Sequence, residues 1–327
     1  MKNFQIRSLT TDSPLHVPES LSFPATFTAL DSWTQLVKEI YGYETHRFEA
    51  TQDNEVTGIL ALTHVRHPIF GNYLATSPFG SFGGFAFSSI EARDGLLKET
   101  QKLADDLKVE YAVVRFIEEN NAPPSSWIQN PIYSTYLLDL PSNPEDLMQT
   151  FGHLELLDET YEVLTQSMHE LGSPYHSKKY LRTMASLLGE NLEFVVIKDA
   201  KDSLVGGAVL AYHGDTATNL HANILNQYRS EYAGECLYWN ILEHYIQRGM
   251  KVCDMGRSLN GSGNETFKTK WKPRKAPLAY WYYLPKGGHI PELNQKSPKF
   301  QLAIWMWKRL PAFAVRMLGP HLIRGIV

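Results

Sequence analysis

Residues 253–273 read CDMGRSLNGSGNETFKTKWKP. With Val252 in front, the stretch starts as a short buried strand, VCDM, and runs at once into a loop punctuated by Gly256, Gly261 and Gly263. Groups that bind or react in α/β folds collect at strand ends, where loops vary over a rigid sheet. Asp254 lies at such an end. Arg257 offers a planar fork for carboxylate or phosphate, and Asp254 is placed to orient it. Gly256, Gly261 and Gly263 let the backbone approach a ligand or adopt positive φ. Lys268 follows between Phe267 and Trp271, a half-apolar setting for an ammonium that meets an anionic group. This reading expects Lys268→Ala to abolish ligand binding with little loss of stability. The plainer alternative is an Asp254–Arg257 ion pair bracing the loop, with Lys268 in solvent.

Working outward, the 327 residues exceed one small core and fit two packed domains. Hydrophobic content of 43% and charged content of 20% are those of a globular protein rather than a disordered one. A net charge of −4 supplies no global field for nucleic acid, though a local basic site is compatible with it. Two cysteines, Cys236 and Cys253, exclude a disulfide framework, and no Cys/His cluster has zinc spacing, so no metal is expected. The N-terminus lacks a signal-like apolar run, and no stretch approaches the roughly 20 apolar residues that span a bilayer. A cytoplasmic setting is the expectation.

The spacing of apolar residues predicts a helix over 32–41 with Asp31 as its N-cap, a strand over 57–65, a helix over 89–107 and a buried strand over 111–117. Residues 132–140 alternate as a half-exposed strand. PSNPED is the best linker, which places a boundary near 141–150. Beyond it come helices over 155–171 and 177–188, the strands LEFVVIK, GGAVLAYH and TATNLHANI, a helix over 231–248, the strand KVCDM, and a final strand LAYWYYL. The class is α/β, a mixed sheet flanked by helices, in the element order of the GNAT acyltransferase fold. The first half repeats that order more loosely. Tandem GNAT-like domains are therefore expected, over 1–145 and 150–290, followed by a basic amphipathic helical tail over 296–327.

That tail carries Lys299, Lys308, Arg309, Arg316 and Arg324 and no acid. Either it closes over the core with its basic residues in water, or it lies against an anionic membrane surface, peripheral to the inner membrane. Another glycine cluster, SPFGSFGGF at 77–85, is no P-loop, because no Gly-Lys-Ser/Thr closes it. It is a plain turn or, through Gly83 and Gly84, the near wall of a cleft between domains. No GxSxG supports a serine nucleophile, and His221 on its strand reads as a core residue rather than a base. Acyl-CoA enzymes of the GNAT fold hold the donor pyrophosphate with Gln/Arg-x-x-Gly-x-Gly/Ala at a helix N-terminus. Here the junction reads NILNQYRSEYAGECLYW, and Gln227, Arg229 and Gly234 have the wrong spacing for it.

DMGRSLNGSGNETFKTKW resembles the signature of FemAB-related transferases, a strand-loop (Asp/Asn)-Phe-Gly-Arg-Ser followed by Phe-Lys-x-x-Trp-Gly. ELLDETYEVLTQSMHELGSPYHSKKYL is similar to that family's helix pair. The closing WKRLPAFAVRMLGPHLIRGI is similar to the ending of the branch linked to exosortase and exopolysaccharide systems. The resemblance implies two tandem GNAT-like domains around a cleft, and transfer of an acyl or aminoacyl group to an amine of a peptidoglycan or exopolysaccharide precursor. Aminoacyl-tRNA or acyl-CoA would be the co-substrate, with no tightly bound cofactor. By motif position Arg257 and Lys268 handle anions, while Asp254 and Ser258 shape the loop. Alternatives are an acyl-CoA-dependent N-acyltransferase of a polysaccharide sugar and a non-catalytic scaffold of an exopolysaccharide assembly. Two departures stand out. PEDLMQTFGHLELLDE crosses directly where the family carries a basic helix and strand, and the glycine after FKxxW is replaced in FKTKWKP. Oligomeric state is not legible.

Overall fold

In the computed structural model, the structure describes residues 4–9, 17–18, 21, 27–117, 122–140, 151–152, 155–286, 288, 290 and 298–326. The first half runs through β1 (Phe4–Leu9), α1 (Asp31–Tyr41), β2 (Glu44–Gln52), β3 (Glu55–His67), β4 (Gly71–Ala75) and β5 (Phe85–Phe87). It continues with α2 (Ile90–Asp106), β6 (Tyr111–Ile117), β7 (Trp127–Gln129) and β8 (Tyr133–Asp139). The second half holds β9 (Phe151–Gly152), α3 (Leu157–Leu171), α4 (Lys178–Leu188), β10 (Leu192–Lys198), β11 (Leu204–His213) and β12 (Thr216–Ile224). Then come α5 (Ala233–Gln247), β13 (Val252–Asp254), β14 (Ser258–Leu259), α6 (Gly263–Thr269) and β15 (Arg274–Tyr283). The tail forms α7 (Pro298–Trp307) and α8 (Ala312–Ile323). The linker expected at 141–150 lies outside the described residues.

Local chemistry sets the helix starts. Ser89 and Ser177 accept from the amides of Ala92 and Tyr180, so each satisfies an orphan donor at the head of α2 and α4. Asp31 does not cap α1. It is the first helical residue, and its carboxylate pairs with Arg47 at 2.7 Å, leaving Leu30 in the cap position. An acid there still favours the helix N-terminus.

The strands form one sheet in the order β1-β2-β3-β4-β6-β15-β8-β13-β12-β11-β10-β9. Along this order two pairs are parallel, β4 with β6 and β12 with β13, and each is joined across a helix, α2 or α5. Both halves therefore repeat one unit: antiparallel strands, a helical crossover, a parallel partner. At the middle they exchange strands. β15 pairs with β6 and β7 of the first half, and β8 pairs with β13 and β14 of the second. β15 and β8 also pair with each other through Arg274–Pro277.

Period-two alternation assigns the faces. Tyr73, Tyr111, Val113, Tyr280 and Val209 face one layer, where they share a core with Trp33 of α1, Leu164 of α3 and Leu181 of α4. Leu74, Ala112, Val114 and Trp281 face the opposite side and pack on α2. Ala208 and Leu210 do the same against α5. Both halves contribute to the first core, so the sheet is one structural body with helices on both faces.

Candidate functional site

The strand end that the sequence singles out sits beside the exchange seam. Asp254 is buried, and its Oδ1 accepts from Thr135 Oγ1 at 2.6 Å and from the Gly256 amide at 2.9 Å. Burial pushes its carboxyl up, and those two donors with nearby Lys268 act against the rise. It forms no ion pair with Arg257, so the expected orienting contact is replaced by a brace between β8 and the loop. Gly256 takes φ +77, a left-handed conformation that suits glycine.

Arg257 and Lys268 part company at this loop. Arg257 Nη1 donates to Tyr280 Oη at 2.6 Å, and its guanidinium lies 5.2 Å from the Tyr133 ring, in the layer of α1 and α4. Its backbone amide donates to Ser81 Oγ. No carboxylate among the described residues comes within ion-pair distance of it. Lys268 turns the other way. It is 4% exposed, and its Nζ donates to the carbonyls of Gly256 at 2.7 Å and Arg257 at 3.1 Å, 5.6 Å from the Tyr136 ring in the α5 layer. Burial lowers its ammonium to about 8, with Asp254 opposing. The two cations thus do not converge on one groove: Lys268 ties the loop from beneath, and only Arg257 is turned toward the inter-half layer.

The flanking residues follow Lys268. Phe267 meets Tyr238 edge-on at 4.9 Å and Trp271 stacks on Tyr238 and Trp239, all beside α5. Gly261 and Gly263 are exposed on the rim, where the Gly261 amide donates to Glu265. Ser258 is buried and pairs through its backbone with Ser134, while its hydroxyl has no partner. Gly83 and Gly84 weld their loop to the sheet: the Gly83 amide donates to the Arg115 carbonyl at 3.0 Å, and the Gly84 carbonyl accepts from Ala61 at 2.7 Å. The part of that loop that meets Arg257 is Ser81.

Residues 77–82 are held rigidly. Ser77 Oγ and Thr28 Oγ1 both donate to the Phe82 carbonyl, and Trp33 Nε1 donates to that of Pro78. Phe79 takes φ +62, strained for an aromatic residue, so its ring projects onto Tyr41 and His176 at 4.7 and 5.3 Å. His176 is buried, stacks on Tyr180 at 4.0 Å, and lies 5.7 Å from His221 of β12. Tyr41 Oη bonds to His176 Nδ1. Burial pushes the tyrosine hydroxyl up, so it stays protonated. Burial lowers His221 to about 4 and, with the neighbouring imidazole, holds His176 well below its usual range. The sequence reading missed this cluster. Its members lie far apart in the chain, and only the register of β12 turns His221 toward α4.

β12 supplies the remaining element. Its ladder with β11 skips Leu220, a bulge between Asn219 and His221. On its other side β13 pairs only with Thr216–Thr218 and then leaves into the glycine loop. Among the described residues no strand pairs with that edge from Asn219 to Asn223. One layer of the sheet therefore gathers a guanidinium without a counter-ion, a pair of neutral imidazoles and an open run of backbone.

The imidazoles give this layer a pH signature. Both are harder to protonate folded than unfolded, so below about 6.5 the unfolded chain takes up protons that the native state refuses. Stability contributed by them is present above that pH and falls as pH drops toward 4. Thermal melts should show this decline, and His221→Asn should flatten it. An unchanged slope would place His221 in contact with water.

Residues 142–269 match the acetyltransferase (GNAT) domain family. The crystal structure of FemX superposes with a TM-score of 0.58 at 14% identity, over 86% of this chain and 96% of that one. A tandem GNAT protein from the clavulanic acid biosynthesis pathway gives 0.53 at 11% identity, over 86% and 98%. L-PGS from Bacillus licheniformis gives 0.50 at 13%, over 78% and 87%. No curated protein matches the chain. The repeated unit, its parallel pairs and these likenesses agree: the chain has the tandem GNAT-like fold, and residues 142–269 carry its GNAT acetyltransferase domain.

Proposed function

We propose that the protein transfers an acyl or aminoacyl group from an activated carbonyl to an amine of a cell-envelope precursor, peptidoglycan or exopolysaccharide. The observation that carries the reading is Arg257, a guanidinium set beside Tyr280 and Tyr133 with no carboxylate among the described residues to neutralise it. Such a group is available to charge that arrives with a substrate or develops on a carbonyl oxygen. The acceptor's family of precursors rests on the FemAB-like signature.

The chemistry needs few parts. The amine nitrogen bonds to the donor's carbonyl carbon, and the resulting oxyanion is met by Arg257 and by amides on the open edge of β12. The carbon–oxygen or carbon–sulfur bond to the leaving group then breaks. The nitrogen's proton passes to the departing oxygen or sulfur, so the leaving group departs neutral. Lys268 holds the Gly256–Arg257 backbone and touches no substrate.

The donor side favours an aminoacyl ester over acyl-CoA. Glu235 sits in the first turn of α5, where a CoA diphosphate would bind, and Lys270 keeps its carboxyl low and ionised. Arg229 is held by one contact, from Nε to the Ile224 carbonyl at 3.4 Å. On the nearby rim Lys272 and Arg274 are exposed with no acid in ion-pair range among the described residues, a local basic patch suited to phosphates. A thermal-shift panel tests this. At a hundredfold excess over Kd, an aminoacyl-adenosine analogue should stabilise by about 2.7 kcal/mol, and acyl-CoA should not. Stabilisation by acyl-CoA alone would reverse the donor assignment. No response to any donor or precursor would leave the scaffold reading in its place.

A further inference from the structure

We infer that α7 and α8 form a docking face for an anionic lipid surface, a property that goes beyond the transfer chemistry and stands without it. The inner sides of the two helices clamp the halves together. Trp307 is buried and donates from Nε1 to the Ser173 carbonyl at 3.1 Å, while His169 donates to the Trp307 carbonyl. Ile304 fills the space over Gly172, where a Cβ would come within 2.5 Å of it, and Gly319 lies flat on Tyr175. From the first half, Tyr43, His67 and Tyr73 donate to the carbonyls of Arg324, His321 and Gly325.

Among the described residues the outer sides have no such partners. Leu302, Trp305 and Met306 share one side of α7 and are 57%, 53% and 51% exposed; Phe313 and Met317 share one side of α8 at 72% and 61%. Five large apolar side chains on two consecutive helices differ from the single exposed residues of an ordinary surface. Lys308 and Arg309 stand exposed in the turn between the helices, and the Arg309 guanidinium lies over the Trp305 ring at 3.8 Å. From Lys296 to Val327 there is no acid, against a net charge of −4 for the whole chain.

That charge pattern selects the occupant. A second copy would set Lys308 and Arg309 of one face against those of the other, with the neighbouring acid Glu162 already paired to Arg316. RNA would meet the arginines but offers nothing to cover Leu302, Met306 and Met317. An anionic bilayer supplies phosphates at the depth of the basic residues and hydrocarbon below them. Helices of 10 and 12 residues are too short to cross it, and among the described residues no helix is long and apolar enough to do so. They would lie in the interface plane.

Because the inner sides are built into the fold, deleting the tail is a poor test; exposed side chains are changed instead in the full chain. In flotation assays the protein should bind vesicles of phosphatidylcholine with phosphatidylglycerol and leave those of phosphatidylcholine alone. Lys308→Ala with Arg309→Ala should weaken binding roughly thirtyfold, and added salt should do likewise. Trp305→Ser with Phe313→Ser and Met317→Ser should abolish it, while melting and circular dichroism stay as in the parent. Equal binding to both vesicle types, or binding indifferent to the apolar triple, overturns the inference. So does concentration-dependent dimerisation that the triple abolishes with no vesicle binding, or RNA binding in place of lipid binding.

Discussion

Arg257→Gln is expected to slow transfer about 10²- to 10³-fold while leaving the melting temperature within a few degrees of the parent. The loss is that of one preorganised donor aimed at developing charge. The small stability change follows from its surroundings: one phenol and one ring, with no ion pair to break among the described residues. Arg257→Lys should restore little, because an ammonium cannot span Tyr280 and a substrate oxygen with a planar fork. Single-turnover transfer from the donor identified by thermal shift is the measurement. Parent-like rates in both variants would remove Arg257 from the reaction.

Lys268→Met should behave in the opposite manner, as a stability variant. It leaves the Gly256 and Arg257 carbonyls buried without a donor, at about 1–3 kcal/mol each. Relief of a desolvated ammonium offsets part of this, so a net loss of about 2 kcal/mol or more in denaturant unfolding is expected. Donor binding should weaken only as far as the loop loosens. An equally stable variant that no longer binds ligand would return Lys268 to the role its sequence context suggests.

Most of the elements were legible because their apolar spacing is strong. β6, β10 and β12 fall on the expected residues, and α2 and α4 begin at the serines that cap them. The tandem GNAT-like class followed from element order. β8 read as half-exposed, yet its Ser134, Thr135 and Tyr136 are buried at the centre of the sheet. Their polar atoms find Asn260, Asp254 and Glu265, more than a hundred residues away, and no local pattern announces such partners. Lys268 misled for a related reason. Its partners are backbone carbonyls, which every residue has, so spacing cannot reveal them. Arg257 stood out in the sequence as a charged feature of the loop, but its direction depends on Tyr280, a strand away. The Tyr41–His176–His221 cluster needed three elements brought together and was invisible one segment at a time.

The exchange of β8 and β15 makes the two halves interdependent. Cut at the linker, each fragment would carry a strand whose place is in the other and would lack the one that closes its own sheet. Neither could persist as a freestanding module; mixed, they would be expected to complement each other. A motion that drew the halves widely apart would have to peel β15 from β8, and rupture of that ladder is costly. The ladder that joins the halves therefore also restrains any movement of one against the other.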